Sequence, residues 1–302
     1  MSDLDITYNN EHNPQTKKFH RAIRNNEIEF IEKLFEYDFV QDINATDEVG
    51  FTALHIAVIE NNLKVTEILI ENGAELNVES SQCPVLPEIE ILTYNDYRLE
   101  YYANLTPLHI AALMGSNAIV ETLLKNGAKV NKANKLRARP LHCAIDSESA
   151  KTVKIILENG GKFGTGFFEH LFDEDMTDNE RMFDYAATNG RLNVLKLLCK
   201  NSISIVKHSS TLVGAIQGGY EDVVRLLLQI GFNVHFHDPI RDEDRFAPIH
   251  VASEKGHIII LKMLIDHGAN VNQFSKQYDV KTPLAIAAFF GNHEVANLLL
   301  QN

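Results

Sequence analysis

The stretch Thr106-Pro107-Leu108-His109-Ile110-Ala111-Ala112, followed by Gly115, Leu123-Leu124 and Gly127-Ala128-Lys129-Val130-Asn131, decides how this chain folds. Thr106 is a helix N-cap, and Pro107 fits the first turn, where no backbone donor is lost. Ala111 and Ala112 are small enough to let two helices approach closely. Gly115 permits a tight turn into a second helix, whose apolar stripe is Val120, Leu123 and Leu124. Gly127 ends that helix in the left-handed region. The segment therefore reads as a pair of short antiparallel helices that cannot bury its apolar face alone.

The same skeleton recurs. Thr52-Ala53-Leu54-His55-Ile56-Ala57 ends in Gly73-Ala74-Glu75-Leu76-Asn77, and Pro248-Ile249-His250-Val251-Ala252 ends in Gly268-Ala269-Asn270-Val271-Asn272. Thr282-Pro283-Leu284-Ala285-Ile286-Ala287 leads to Leu298-Leu299-Leu300. Weaker copies run from Arg139, Met182 and Thr211, and a front copy contains Phe19-His20-Arg21-Ala22-Ile23. The anchors Phe19, Leu54, Leu108, Leu141, Phe183, Leu212, Ile249 and Leu284 are 35, 54, 33, 42, 29, 37 and 35 residues apart. A period near 33 with a T-P-L-H-x-A signature resembles the ankyrin repeat family. The resemblance covers about eight repeats over residues 16–302 and implies an all-α repeat solenoid of stacked helix-turn-helix units with short β-hairpin or turn tips. Residues 1–15 read as a polar tail.

Two steps are too long. The step of 54 places an insertion at about residues 78–103, carrying Pro84, Pro87, Tyr94, Tyr97, Tyr101 and Tyr102. The step of 42 marks an irregular segment at about 163–181, where Phe167 to Phe172 reads as an added helix. A bend in the stack is expected there. The repeat at Met182 has no recognisable hairpin tip. Lys17, Lys18, Arg21 and Arg24 give the first repeat the polar outer side of a terminal cap.

Composition narrows the function. Forty-one Asp and Glu against 28 Lys and Arg give a net charge of −13, which opposes sequence-independent nucleic-acid binding. No apolar run is long enough to span a bilayer, and no signal peptide is visible. Cys83, Cys143 and Cys199 lie far apart, which suits a reducing compartment. Cytoplasmic localisation is expected. The chain's 27 asparagines hint at an AT-rich genome, hence at an effector that works in a host cytosol.

Candidate chemistry thins out on inspection. His55, His109, His142 and His250 occupy one repeat position, and in the resembled family this His ties neighbouring repeats through backbone hydrogen bonds. His235 and His237 have ligand spacing but no third ligand nearby. Gly160 to Gly166 lacks the GK[ST] ending of a phosphate loop. No catalytic residue, cofactor or metal is expected.

Recognition remains. The resemblance implies partner binding through the concave face and the hairpin tips. Phe51, Ile59, Tyr102, Leu105, Leu113 and Met114 fall at positions expected to face solvent there, and together they form an apolar patch. Either a partner covers this patch or the insertion folds back over it. Between Thr122 and Ile145 lie six Lys and Arg and no acid, whereas Glu27 to Glu48 holds eight acids and one base. Lys132 and Arg137 are accordingly expected to steer an acidic partner. Phe289 and Phe290 form a second patch, open to self-association. The leading expectation is a nonenzymatic protein-interaction scaffold or adaptor. The alternatives are a substrate-recognition or regulatory subunit and, in another class, an enzyme using the insertion.

Overall fold

The computed structural model describes residues 14–48, 50–81, 103–164, 176–200, 209–235, 247–274 and 282–302. The chain falls into two compact units, Met1–Glu174 and Asp175–Asn302.

The first unit holds four helix pairs among its described residues: α1 (Pro14–Arg24) with α2 (Ile28–Glu36), α3 (Ala53–Ile59) with α4 (Leu63–Glu71), α5 (Pro107–Leu113) with α6 (Asn117–Lys125), and α7 (Pro140–Asp146) with α8 (Ala150–Glu158). First helices pack on first helices in the order α1, α3, α5, α7, and second helices stack likewise. Each pair buries its anchor: Phe19, Leu54, Leu108 and Leu141 are all in the core. The all-α repeat solenoid that the family resemblance implies is the observed architecture. Among the described residues the only strand-like pairing is one antiparallel bridge, Thr46 with Thr52.

The second unit repeats the scheme with α9 (Asp178–Thr188) and α10 (Leu192–Lys200), α11 (Ser209–Gln217) and α12 (Glu221–Gln229), α13 (Pro248–Lys255) and α14 (Ile258–Asp266), and α15 (Pro283–Phe289) and α16 (His293–Gln301). Its first helices stack as α9, α11, α13, α15. The repeat that lacks a recognisable tip solves its start differently. Helix α9 begins a full turn early, where Thr177 accepts from the Glu180 N–H and the Glu180 carboxylate accepts from the Thr177 N–H at 2.7 Å. Asp184 then stands where five of the other repeats carry His, and accepts a hydrogen bond from the Thr211 hydroxyl of α11 at 2.5 Å. The added helix read at residues 167–172 lies outside the described residues.

Sequence explains the local geometry. Thr52 and Thr106 cap α3 and α5 by accepting from the N–H of His55 and His109. Gly73 and Gly127 close α4 and α6 at φ of 87° and 97°, with open space around them, so their conformation rather than crowding demands glycine.

Candidate functional site

The tips on the first unit are built by one recurring bond pattern. The Asp47 N–H donates to the Phe51 carbonyl at 2.9 Å, and the Asp47 carboxylate accepts from the Phe51 N–H at 2.9 Å. Asn134 does the same with Ala138, at 2.9 and 2.8 Å. Ser80 does the same with Leu105, at 2.9 Å through the backbone and 3.1 Å through its hydroxyl. The partners are four positions apart in the first and second cases and 25 apart in the third. The expected insertion is thus carried entirely by one tip, between Ser80 and Leu105, with its neck closed by the ordinary tip bonds. Asn104 tightens the neck further by donating its amide to the Ser80 carbonyl at 3.0 Å.

A second pattern runs across the repeats. Asn44 accepts from the Glu75 N–H at 2.9 Å, Asn77 from the Lys129 N–H at 2.8 Å and Asn131 from the Lys162 N–H at 2.7 Å. This asparagine ladder keeps its step across the insertion, so the tips of the second, third and fourth repeats stay in register.

The histidines form a third pattern, inside the stack. The Thr52 and Thr106 N–H groups donate to Nδ1 of His55 and His109, at 3.2 Å each. Nδ1 is therefore unprotonated, and Nε2 donates to the next repeat's carbonyl, Leu105 for His55 and Ala138 for His109, both at 3.1 Å. His250 reaches the Gln273 carbonyl at 2.9 Å. Burial pushes His55 and His109 down to about 4, and His142, beside the Arg139 guanidinium, to about 3. His142 stacks on Phe163, ring centres 4.0 Å apart. These histidines are neutral struts between repeats. Of the other pair, His235 is exposed at the edge of the described residues and His237 lies outside them.

The expected apolar patch is corrected by burial. Phe51 is 7% exposed, Leu105 0% and Leu113 2%, so none presents a surface to a partner. Phe51 and Leu105 share the position just before the capping Thr, and Ala138 holds it in the fourth repeat with equal burial. That position closes the tip and points into the stack. Ile59 and Met114 are half-buried, and Tyr102 lies outside the described residues. Lys132 is also corrected: its ammonium is held by Glu79 at 2.6 Å, within the chain. Arg137 is exposed on the tip, in a left-handed conformation at φ 61°. Lys129, Lys135 and Lys162 are exposed as well; Lys129 and Lys135 belong to the basic run between Thr122 and Ile145, and Lys162 lies beyond it.

At the front of the stack, Lys17 pairs with Glu48 at 2.6 Å and Arg24 with Asp47 at 2.7 Å, so α1 offsets two of the acids on the first tip. In the second unit Phe289 is 73% and Phe290 46% exposed, edge to face at 5.2 Å. Among the described residues no group of three or more His, Cys, Asp or Glu could hold a metal ion, and no helix is long and apolar enough to cross a membrane.

Repeated helix pairs joined by in-register tips and buried capping histidines now meet their relatives. The family model for ankyrin repeats matches residues 4–80, 89–167 and 212–302. The chain belongs to the ankyrin repeat family. It is 26% identical over 299 residues to human transient receptor potential cation channel subfamily A member 1, which takes in 93% of this chain and 26% of the channel. It is 26% identical over 277 residues to palmitoyltransferase AKR1 of Lachancea kluyveri, across 91% of this chain and 29% of the enzyme. The human ASB11 ankyrin repeat domain superposes with a TM-score of 0.60 at 25% identity, covering 83% of this chain and 97% of that domain. The chain thus spans little more than a quarter of the length of the channel and the acyltransferase it matches. A channel and an enzyme share these repeats, so the repeats specify no single activity.

Proposed function

We propose that this ankyrin repeat chain is a noncatalytic scaffold that holds a partner protein against the tips and first-helix ends of its second, third and fourth repeats. The observation that carries this reading is the tip at Asn134. Its side chain accepts from the Leu136 N–H at 3.1 Å and the Ala138 N–H at 2.8 Å, while the Arg137 N–H donates to the Asn134 carbonyl at 3.0 Å. The N–H groups of Leu136, Arg137 and Ala138 all bond to Asn134, so Lys135 and Arg137 project from a fixed frame, and little backbone ordering entropy is lost when they are bound.

Lys129 and Lys162 extend the same charge along adjacent tips, and Met114 and Ile59 supply half-buried apolar contact on the first-helix ends. An acidic, partly apolar protein surface is the complement. Within this reading the chain works in the cytoplasm, or in a host cytosol if it is a delivered effector.

The test is affinity capture from the native cell with wild type and two variants. Lys135→Glu with Arg137→Glu weakens capture at least tenfold and flattens its salt dependence, and Met114→Asp weakens it without lowering the melting temperature. Capture that survives both sets of changes removes the tips from the binding surface.

A further inference from the structure

The first and last repeats treat their outer sides differently. Helix α1 exposes Lys17, Lys18, Arg21 and Arg24, and the apolar surface beside it is drawn into a hollow of about 390 Å³ between α1, α2 and the loop after α2. A helix pair whose outer side meets water carries polar groups there. The last pair, α15 and α16, does not. Phe289 and Leu300 are 73% and 68% exposed, Ala285 and Ala288 are exposed with them, and Leu284 and Ala296 are half-buried.

The other repeats show what this surface is built for. The position of Leu284 is buried at Leu54, Leu108 and Ile249, that of Ala288 at Val58, Ala112 and Ile216, and that of Ala296 at Val120, Val224 and Leu261. In each of those repeats the following pair supplies cover, first helix on first helix and second on second. The exposed side of α15 and α16 is therefore a stacking face, of which the phenylalanine pair is one edge. It is also uncharged. Ala285 stands where His55, His109 and His250 act as struts, so burial would leave no polar side chain unsatisfied there. Glu294, the one Asp, Glu, Lys or Arg on these two helices, lies at the position of Ala118, which stays exposed within the stack.

We propose that this face joins two copies of the chain, α15 and α16 of one copy packing on α15 and α16 of the other about a two-fold axis. A second copy brings the same uncharged face, so no carboxylate or ammonium is buried, and each contact is made twice. A different protein finds neither charge nor hydrogen-bonding side chain on this face by which to be selected. Head-to-tail assembly fails the same comparison: the outer side of α1 is cationic, and the face on α15 and α16 holds no acid to meet it. The assembly is therefore closed, a dimer and not a filament. Each dimer carries two sets of basic tips, which raises the avidity for a partner that displays more than one acidic site. The face shares no residue with the tips, so either assignment can fail without the other.

The experiment is sedimentation velocity of the full chain over a wide range of concentration, at low and high salt. The mass should rise to that of two chains and stop there. Added salt should strengthen the pairing at least twofold, because it screens repulsion between copies of net charge −13 and leaves apolar contact intact. Phe289→Glu with Leu300→Glu, two exposed changes that leave the melting temperature of the dilute chain in place, should raise the dissociation constant at least tenfold. Lys17→Glu with Lys18→Glu should leave it unchanged. Amide exchange at high against low concentration should show protection in peptides of α15 and α16. A single chain at every concentration overturns the proposal and leaves the face to another protein. Pairing unmoved by Phe289→Glu with Leu300→Glu overturns it equally. Growth past two chains that is lost on Lys17→Glu with Lys18→Glu also overturns it, and assigns the face to head-to-tail stacking.

Discussion

His55 and His109 each do two jobs that require them to be uncharged: Nδ1 accepts from the capping residue's N–H and Nε2 donates to a carbonyl of the next repeat. His20, His55 and His109 are held near 4 and His142 near 3 by burial, whereas in the unfolded chain they titrate near 6.5. Between these values the unfolded state binds more protons, so stability is fully present above pH 6.5 and is lost progressively as pH falls toward 4. Thermal melts should show a constant midpoint from pH 7 to 8 and a steady fall from pH 6.5 to 4.5, where most carboxylates remain ionised. A flat profile across that window would contradict the neutral-strut role. Thr106→Ala removes one cap and should cost about 1 kcal/mol in chemical denaturation. Leu113→Asp, which would probe a surface if the apolar patch were exposed, instead buries an unpaired carboxylate and should destabilise the first unit by several kcal/mol. Met114→Asp, one residue on, should leave stability within about 0.5 kcal/mol.

The elements were legible in the sequence because the anchors, caps and closing glycines are local: Leu54, Thr106 and Gly127 declare themselves by spacing alone. The tips were less legible. Phe51 and Leu105 read as exposed because they border the turn, yet the tip bonds from Asp47 and Ser80 turn them inward. No periodicity reports that, since it depends on a hydrogen bond to a residue four or 25 positions away. The pairing of Lys132 with Glu79 was hidden for the same reason, the two being brought together across the insertion. The hollow beside α2 was hidden because the outer side of α1 is basic and, Phe19 apart, its large apolar lining residues come from α2 and its loop. The closed neck has a consequence of its own. Replacing residues 81–104 with Lys-Leu-Arg, the tip between Asn134 and Ala138, should retain a single cooperative melt of the first unit, because the Ser80–Leu105 bonds need only a short tip. Asn77→Ala, by contrast, breaks the ladder at the repeat that carries the insertion and should cost about 1 kcal/mol. Circular dichroism melts of the two variants test both statements.

At the scale of the molecule, stacking replaces a single growing core, so each repeat is stabilised by its neighbours and surfaces are distributed along the array. The net charge of −13 conceals this distribution. Acids gather on α2 and its loop, while bases gather on the tips of the third and fourth repeats. Charge reversal at the basic tips should alter the salt dependence of partner binding there and leave pairing through α15 and α16 unchanged, a difference readable by titration at two ionic strengths. The measurement that bears most directly on the central claim is amide hydrogen exchange of the chain with and without its captured partner. Protection should concentrate in peptides spanning residues 128–139, with the ends of α3 and α5 following. Protection confined to the second unit, or to the outer faces of α6 and α8, would contradict the assignment of binding to these tips.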